Sequence, residues 1–257
     1  MREFLDGKSQ FALVSRELTA EDRRAYRRAY GAEPMVVPVA AGSWRHFGFV
    51  DTVVVIVNRA NPLRRLSFAQ IDVIFSAERR RGGSGVRDWG QLGVPAWRGR
   101  AVHPVGAAGW QREDSARSAV VRQRVLLGGA WRADLAGSGD EVSAPERVAH
   151  DPLAIAITGL GHLPPGTRAL AISEVPSGPY VAPSYPAVAA NAYPLSRTID
   201  MIVPRNAKGG ADPVLAEFLR FILSREGQAV VAEQGVFLPL RAGQARASLA
   251  LLGPCPG

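Results

Sequence analysis

An uninterrupted run of β-branched residues from Thr52 to Val57 follows Asp51 and ends before Asn58. The run lacks the alternation of polar and apolar side chains that marks a strand with one solvent-facing side. It is typical of a strand buried on both faces of a sheet. Both faces of such a sheet have to be covered by other elements, so the chain is expected to contain a layered α/β core.

Strand and helix patterns alternate along the rest of the chain. Short apolar runs predict further strands within residues 11–14, 35–40 and 151–157. Capping patterns predict helices that begin at or just after Thr19, Ser67, Asp114 or Ser115, Ser143 and Asp212. Residues 176–193 are rich in Pro, Ala and Ser and predict an irregular connection. The alternation predicts an α/β architecture with mainly parallel sheets.

The basic charge of the chain does not point to a nucleic-acid partner. The formal net charge is +8, but lysine occurs only at Lys8 and Lys208. A bias so strongly toward arginine indicates the base composition of the coding DNA. The arginine run 79–81 lies in the Gly-rich segment 79–85, contains no interleaved aromatic residue and predicts a solvated loop. We therefore expect no nucleic acid to bind.

Few residues are available for metal, disulfide or catalytic chemistry. Cys255 is the single cysteine, and the four histidines, His46, His103, His150 and His162, stand at spacings that match no metal-binding pair on a helix. The Gly-rich segment lacks the Gly-Lys-Ser/Thr ending of a phosphate loop, and no Gly-x-Ser-x-Gly motif is present. We expect no enzyme activity, no cofactor and no metal site.

Length and hydropathy bound the class of protein. With 257 residues, 47% of them hydrophobic, the chain can bury a substantial core in one domain or in two lobes. The opening residues, Met1 to Lys8, lack the apolar centre of a secretory signal, and no apolar run approaches the roughly 18 residues that cross a bilayer. We expect a soluble chain without an export signal and without direct membrane insertion.

Several segments occur in the order found in one known family. They are Ser15–Leu18 (SREL), Asn58–Leu63 (NRANPL), Leu66–Ser76, Asp88–Gly93, Tyr193–Arg197 (YPLSR), Glu217–Gln228 and Gly235–Leu240. Each segment alone is a weak signal. Together, and in this order, they resemble the phosphate-type substrate-binding proteins of ABC importers over about residues 5–240.

The resemblance implies a type II periplasmic-binding-protein fold, with two α/β lobes and a ligand cleft between them. Lobe one is expected to comprise residues 1–50 and 198–257, and lobe two residues 51–197. Proteins of this family begin with a strand, a helix and a further strand ahead of the segment that corresponds to residues 3–18. The first lobe is therefore expected to be incomplete, through a misplaced gene start, a fragment or degeneration.

The implied function is non-catalytic. The resemblance implies binding of phosphate or a related oxyanion in the periplasm and its delivery to the membrane permease subunits of an ABC importer. The alternative is a degenerate relative that keeps the fold and acts as an interaction or regulatory protein without ligand transport.

One segment resembles the family's anion-binding motif, Arg-x-x-x-Ser-Gly-Thr at a helix N-terminus. Ser115 is retained, whereas Gln111, Ala116 and Arg117 replace the Arg, Gly and Thr. Arg112 lies next to the altered position, and Arg117 can supply charge at the start of the helix. The alternative is that Ser115 only caps a helix. With three of the four contact types changed, we expect phosphate or a related oxyanion to bind weakly or not at all.

A second candidate pair follows the predicted strand 11–14. Ser15 and Arg16 supply a hydroxyl and a guanidinium just after that strand, where open α/β sheets bind their ligands. The alternative is a turn serine followed by a solvated arginine.

Overall fold

The computed structural model describes residues 1–106, 115–137, 142–206 and 209–253. The chain divides into two compact units, of which the first comprises Met1–Trp44 with Arg197–Gly257 and the second Arg45–Ser196. The second unit thus begins with residues 45–50, which the sequence analysis assigns to lobe one, and Arg197 belongs to the first unit. The identification of these units with two lobes around a cleft stays a prediction.

The first unit has five helices and three strands in its described residues. Numbered along the whole chain, they are α1 (Arg2–Leu5), β1 (Ala12–Val14), α2 (Ala20–Tyr30), β2 (Met35–Ala41), β10 (Thr198–Val203), α7 (Pro213–Leu223), α8 (Arg225–Gln234) and α9 (Ala242–Ala250).

The three strands form a sheet in the order β1-β10-β2, and β10 runs antiparallel to both neighbours. The start of β10 pairs with the end of β2, with Thr198 opposite Ala41. The chain therefore leaves and re-enters this unit at the same edge, which forces the returning strand to run in the opposite direction. Side chains of β10 alternate between two apolar clusters, Met201 and Val203 in one and Ile202 in the other.

Local signals in the sequence set the ends of the helices in this unit. The Thr19 hydroxyl accepts from the Asp22 N–H at 3.0 Å, and the Asp22 carboxylate accepts from the Thr19 N–H at 2.8 Å. This capping box opens α2, and Gly31 in the left-handed region closes it. Asp212 caps α7 with Pro213 as its first residue. These predicted boundaries are confirmed.

The Glu-Gly-Gln segment of α8 joins two helices to the sheet. A Cβ on Gly227 would lie 2.2 Å from the Phe221 carbonyl oxygen, so only glycine permits this approach to α7. The Gln228 side chain donates to the Val39 carbonyl at 3.0 Å and accepts from the Leu240 N–H at 2.5 Å. Gln228 thereby satisfies backbone groups of β2 and of the segment before α9.

The second unit has eleven α-helices and strands and two short 3₁₀ helices in its described residues. The strands are β3 (Val53–Asn58), β4 (Arg65–Ser67), β5 (His103–Gly106), β6 (Ala136–Gly137), β7 (Ala154–Gly159), β8 (Thr167–Ala169) and β9 (Ala171–Ser173). The α-helices are α3 (Phe68–Phe75), α4 (Ala116–Arg124), α5 (Ser143–His150) and α6 (Tyr185–Ala189), and the 3₁₀ helices are Trp89–Leu92 and Pro95–Trp97.

Five strands form a sheet in the order β6-β5-β7-β3-β8, and β4 pairs with β9. Strand β3 lies between β7 and β8, and all six of its residues are buried, as the β-branched run predicts. It runs antiparallel to both neighbours, whereas β5 runs parallel to β6 and β7. Strands β3 and β10 each run antiparallel to two neighbours, so four of the seven strand pairings in the described residues are antiparallel. The expectation of mainly parallel sheets is therefore wrong.

Two local predictions fail in this unit. Helix α5 has Val142 at its N-cap without a side-chain capping bond, and Ser143 is its first residue. Valine has no acceptor, and Pro145 at the third helical position has no N–H to donate, so no capping box forms. The connection 176–193 is not wholly irregular, because α6 lies within it.

The arginine-rich loop is not simply solvated. The Arg81 guanidinium donates to the Val125 carbonyl at 2.6 Å and to the Arg124 carbonyl at 2.5 Å. Arg80 donates to the Leu127 carbonyl at 2.9 Å. These carbonyls lie at the C-terminal end of α4, where cations offset the negative end of the helix dipole. Arg80 and Arg81 therefore stabilise the end of α4, which corrects the prediction that they are simply solvated, while residues 79, 80 and 82–84 are exposed as predicted.

Candidate functional site

The N-terminus of α4 is the first part of the candidate site. Ser115 is the N-cap residue, and its hydroxyl accepts from the Ser118 N–H at 3.2 Å. The Ser118 hydroxyl in turn accepts from the Trp131 indole N–H at 2.8 Å, which ties the first turn of the helix to a buried side chain. The capping interpretation of Ser115 is confirmed, and its role as an anion ligand stays a prediction.

A buried ion pair lies beside this helix start. Arg117, in the first turn of α4, is 6% exposed, and its Nη2 donates to Oδ1 of the fully buried Asp51 at 3.0 Å. The guanidinium carbon also lies 5.2 Å from the centre of the Phe47 ring. Burying two charges costs free energy of desolvation that only close pairing and further hydrogen bonds offset. The pair therefore fixes both groups in place.

Two glycines let the chain after β7 close around the Asp51 carboxylate. Oδ2 of Asp51 accepts from the Gly161 N–H at 3.1 Å. A Cβ on Gly159 would lie 1.8 Å from that same oxygen, and a Cβ on Gly161 would lie 2.5 Å from the Phe47 backbone nitrogen. A side chain at either position would displace the carboxylate or the segment before it. Both carboxylate oxygens thus have a donor.

The arrangement presents hydrogen-bond donors with little excess charge. The positive end of the α4 dipole and the Ser115 hydroxyl favour an anion. The charge of Arg117 is balanced by Asp51 at a distance where burial makes the pairing strong. Binding here would therefore depend on the geometry of fixed donors more than on net positive charge.

Three further predicted site residues belong to the same stretch of sequence as Ser115. Gln111 and Arg112 lie outside the described residues, which resume at Ser115. Ala116 is the first residue of α4 and is half-buried, so it contributes backbone rather than a polar side chain. The structure thus brings together Ser115, Ala116 and Arg117, as their adjacency in the sequence requires.

Ser15 and Arg16 belong to the first unit and have partners there. The Arg197 guanidinium donates to the Ser15 carbonyl at 2.9 Å and to its hydroxyl at 3.3 Å. Arg16 donates through Nη1 and Nη2 to the two carboxylate oxygens of Asp22, at 2.6 and 3.3 Å. Arg16 is therefore not the solvated arginine of the alternative interpretation. A ligand role for either residue stays a prediction.

Asp22 serves both Arg16 and the cap of α2. Burial by itself raises the pKa of the Asp22 carboxyl, but hydrogen bonds from Arg16 and Thr19 outweigh burial, and the pKa lies below its ordinary value. The carboxylate form is thus the one that the local structure requires.

Asp51 and Arg197 are not among the site residues predicted from the sequence. The signal for Asp51 was a carboxylate at the start of an otherwise apolar strand, since a buried charge there requires a partner. Arg197 ends the YPLSR segment, which indicated the family and its fold but no binding role for the arginine. The partner of neither residue can be predicted from the local sequence, since Asp51 and Arg117 lie 66 positions apart and Ser15 and Arg197 lie 182 apart.

The described residues contain neither a metal-binding cluster nor a helix that could cross a membrane. Over the described ranges, no three His, Cys, Asp or Glu side chains come together as a group that could hold a metal ion. Among the helices of those same ranges, none is long and apolar enough to cross a membrane.

Relatives of known sequence support the resemblance to phosphate-type binding proteins. The chain is 27% identical over 250 residues to the phosphate-binding protein PstS of Pseudomonas aeruginosa. That match covers 96% of this chain and 73% of the relative. The family resemblance drawn from the motifs is thereby confirmed.

Solved structures show the fold. PstS from Borrelia burgdorferi has a TM-score of 0.62 at 17% identity, with 93% of this chain and 83% of that chain covered. A possible phosphate binding protein from Planctomyces limnophilus has a TM-score of 0.60 at 20% identity, with 98% and 82% covered. At these identities the likeness is one of fold, and it confirms the mixed α/β, type II periplasmic-binding-protein class.

The family itself follows from a match along most of the sequence. A family model described as the PBP superfamily domain matches residues 1–226. The names of the relatives describe binding proteins, and none of these names describes an enzyme. Since the matched region spans far more than half of the 257 residues, the chain belongs to the PBP superfamily.

Proposed function

We propose that this protein binds phosphate or a similar oxyanion without catalysis and delivers it to the permease subunits of an ABC importer. The observation that carries the proposal is the N-terminus of α4, with Ser115 as cap and Arg117 held by the buried Asp51. Fixed donors at a helix N-terminus are a physical basis for anion recognition. The relatives named for phosphate binding make phosphate the first ligand to test.

Each residue of the site has a separate role in this proposal. The Ser115 hydroxyl and the first N–H groups of α4 donate to the anion. Arg117 contributes an oriented guanidinium, whose direction is set by Asp51 and, through Asp51, by the Gly161 N–H. Asp51 acts as a positioning residue, because it is fully buried behind the arginine.

The affinity is expected to be modest. In the segment that resembles the family motif, Ala116 and Arg117 stand in place of Gly and Thr, and Gln111 in place of Arg. Each lost charge-assisted hydrogen bond commonly weakens binding by about 2 kcal/mol, and about 1.4 kcal/mol is a factor of ten. We therefore propose a dissociation constant for phosphate above about 1 μM.

Location and partners rest on the relatives. An ABC-type phosphate transport receptor from Vibrio cholerae shares the fold, with a TM-score of 0.60 at 17% identity. By analogy we propose action in the periplasm and docking on membrane permease subunits. The altered anion motif is the one feature that favours the alternative of an interaction or regulatory protein without a ligand, and the names of the relatives do not favour it.

Isothermal titration of the full chain with phosphate tests the proposal, with sulfate and nitrate as comparison anions. We expect saturable binding of one phosphate, weakened by Ser115→Ala. The same titration with Ser224→Ala is the control, because Ser224 caps α8 in the other unit with a comparable bond, from the Gly227 N–H at 3.1 Å. A dissociation constant of about 10 mM corresponds to a binding free energy of roughly 3 kcal/mol. Absence of any binding at that phosphate concentration would contradict the proposal.

A further inference from the structure

A second concave surface lies in the second unit, apart from the start of α4. It has a volume of about 640 Å³, and its lining includes Arg45, Arg59, Gly161, Thr167 and Arg168. Neither Ser115 nor Arg117 is among these residues. We call it the arginine pocket, after its three arginines.

Backbone carbonyls hold two of the three guanidiniums in place. Arg168 donates to the carbonyls of Leu63 at 3.2 Å and Arg59 at 3.4 Å, and also to that of Asn61. Arg59 donates through Nε to the Thr167 carbonyl at 3.3 Å. Because Asn58 pairs with Thr167 across β3 and β8, both arginines extend from one rigid sheet edge. Their guanidiniums are thus oriented before any ligand arrives.

Positive charge accumulates at this surface. Among the described residues that line the pocket, none is Asp or Glu. Burial lowers the pKa of Arg168, and repulsion from Arg64 and Arg59 lowers it further. Backbone carbonyls are neutral, so the hydrogen bonds that orient the guanidiniums leave this repulsion in place. An anion bound among them would relieve it.

The walls of the pocket strengthen electrostatic attraction. Leucine, proline and alanine side chains make up most of the remaining lining. Arg45 and Arg59 are exposed, so these walls lower the dielectric constant on one side only and strengthen charge pairing modestly relative to a flat surface. The volume of about 640 Å³ lies within the range of roughly 300–1,000 Å³ that is common for small-molecule sites.

We propose that the arginine pocket binds an anion with two or more linked phosphate groups, of which pyrophosphate is the smallest. A planar guanidinium matches the oxygens of one phosphate group, and Arg59 uses only its Nε in the bond to Thr167. Both terminal nitrogens of Arg168 already bond backbone carbonyls, so Arg168 would attract a second, linked group mainly through its charge. A single phosphate ion would fill a small part of the volume and would meet fewer of the guanidiniums. The pocket uses none of the side chains assigned to phosphate binding at α4, and the two sites share only the backbone of Gly161, whose N–H holds Asp51.

Titration of the full chain with pyrophosphate, triphosphate and orthophosphate at low ionic strength tests the proposal. We expect pyrophosphate and triphosphate to bind, and Arg59→Gln to weaken both at least tenfold. Arg98→Gln is the matched control, because Arg98 is exposed, lies outside the pocket and carries the same charge. Rising salt is expected to weaken this binding steeply, because the site relies on net charge.

Further variants keep the test decisive. Arg59→Lys retains the charge and is expected to bind pyrophosphate with intermediate affinity. Ser115→Ala is expected to leave pyrophosphate binding unchanged, which separates this site from the one at α4. Absence of pyrophosphate binding, an equal loss in Arg98→Gln and Arg59→Gln, or a loss confined to Ser115→Ala would each overturn the proposal.

Discussion

Two arginine–aspartate pairs, one in each unit, use the same chemistry in different surroundings. Arg16 and Asp22 are six positions apart, and their side chains are 26% and 15% exposed. Arg117 and Asp51 are 66 positions apart, and their side chains are 6% and 0% exposed. The first pair strengthens the capping box of α2, whose residues are already close together in the sequence. The second joins distant segments, so its loss should affect the whole unit.

The largest effect is expected from Asp51→Asn. The substitution removes the buried carboxylate that pairs with Arg117, and we expect stability to fall by about 3–5 kcal/mol. Urea denaturation followed by circular dichroism measures the change. The corresponding Asp22→Asn in the exposed pair should cost about 0.5–2 kcal/mol, mainly through the cap. Equal losses in the two variants would refute the contrast between the pairs.

Gly159→Ala tests whether packing around the buried carboxylate is as tight as the geometry indicates. The added Cβ would lie 1.8 Å from Oδ2 of Asp51, so the carboxylate or the strand must move. We expect a loss of about 1–3 kcal/mol in thermal or urea unfolding. Gly243→Ala in α9 is the control, since a Cβ there meets no atom within 4 Å. That change should be neutral or stabilising by up to about 1 kcal/mol.

Ser115→Ala, at the start of α4 beside the buried pair, should change phosphate affinity and stability by separately measurable amounts. Loss of the hydroxyl donor is expected to weaken phosphate binding by about 1–3 kcal/mol, and loss of the cap should cost about 1 kcal/mol of stability. Titration and unfolding measure the two quantities. The matched cap variant Ser224→Ala should lose similar stability without any change in phosphate affinity. An equal change of affinity in both variants would argue against the site.

The smallest effect is expected from Arg16→Ala, with a loss of about 1 kcal/mol or less at neutral pH that declines in high salt. The effect should also depend on pH. Because the pKa of folded Asp22 lies below its ordinary value of 3.8, its ionised form contributes stability that is complete above that value. This contribution is lost as pH falls through the lower pKa, so unfolding curves of wild type and variant should converge in acid. A constant difference down to pH 2 would contradict this assignment.

Several elements were predictable because their signals are local. The buried strand β3 follows from five consecutive β-branched residues, and α2 follows from Thr19, Asp22 and Gly31. A capping bond joins residues three positions apart, so the sequence contains both partners within one window. Ser143 shows the limit of such a signal, because Pro145 two positions later removes the N–H that a cap beginning at Val142 would need.

The site was predictable only in part. Ser115 and Arg117 could be found because they lie together in a segment that resembles a known motif. The partner of Arg117 could not be found, since Asp51 precedes a strand 66 positions earlier. The same holds for Arg81, which appeared solvated in a Gly-rich loop and instead binds carbonyls at the end of α4.

The sequence by itself determined the family, the alternation of helices and strands, and most helix ends, because these depend on residue type and on spacings of a few positions. Tertiary structure alone decided the strand directions, the pairing of Asp51 with Arg117 and the grouping of Arg45, Arg59 and Arg168. A strand pattern is the same in either direction, and a charge does not specify its partner. Both are settled only when distant segments pack and each buried polar group has to find a bond.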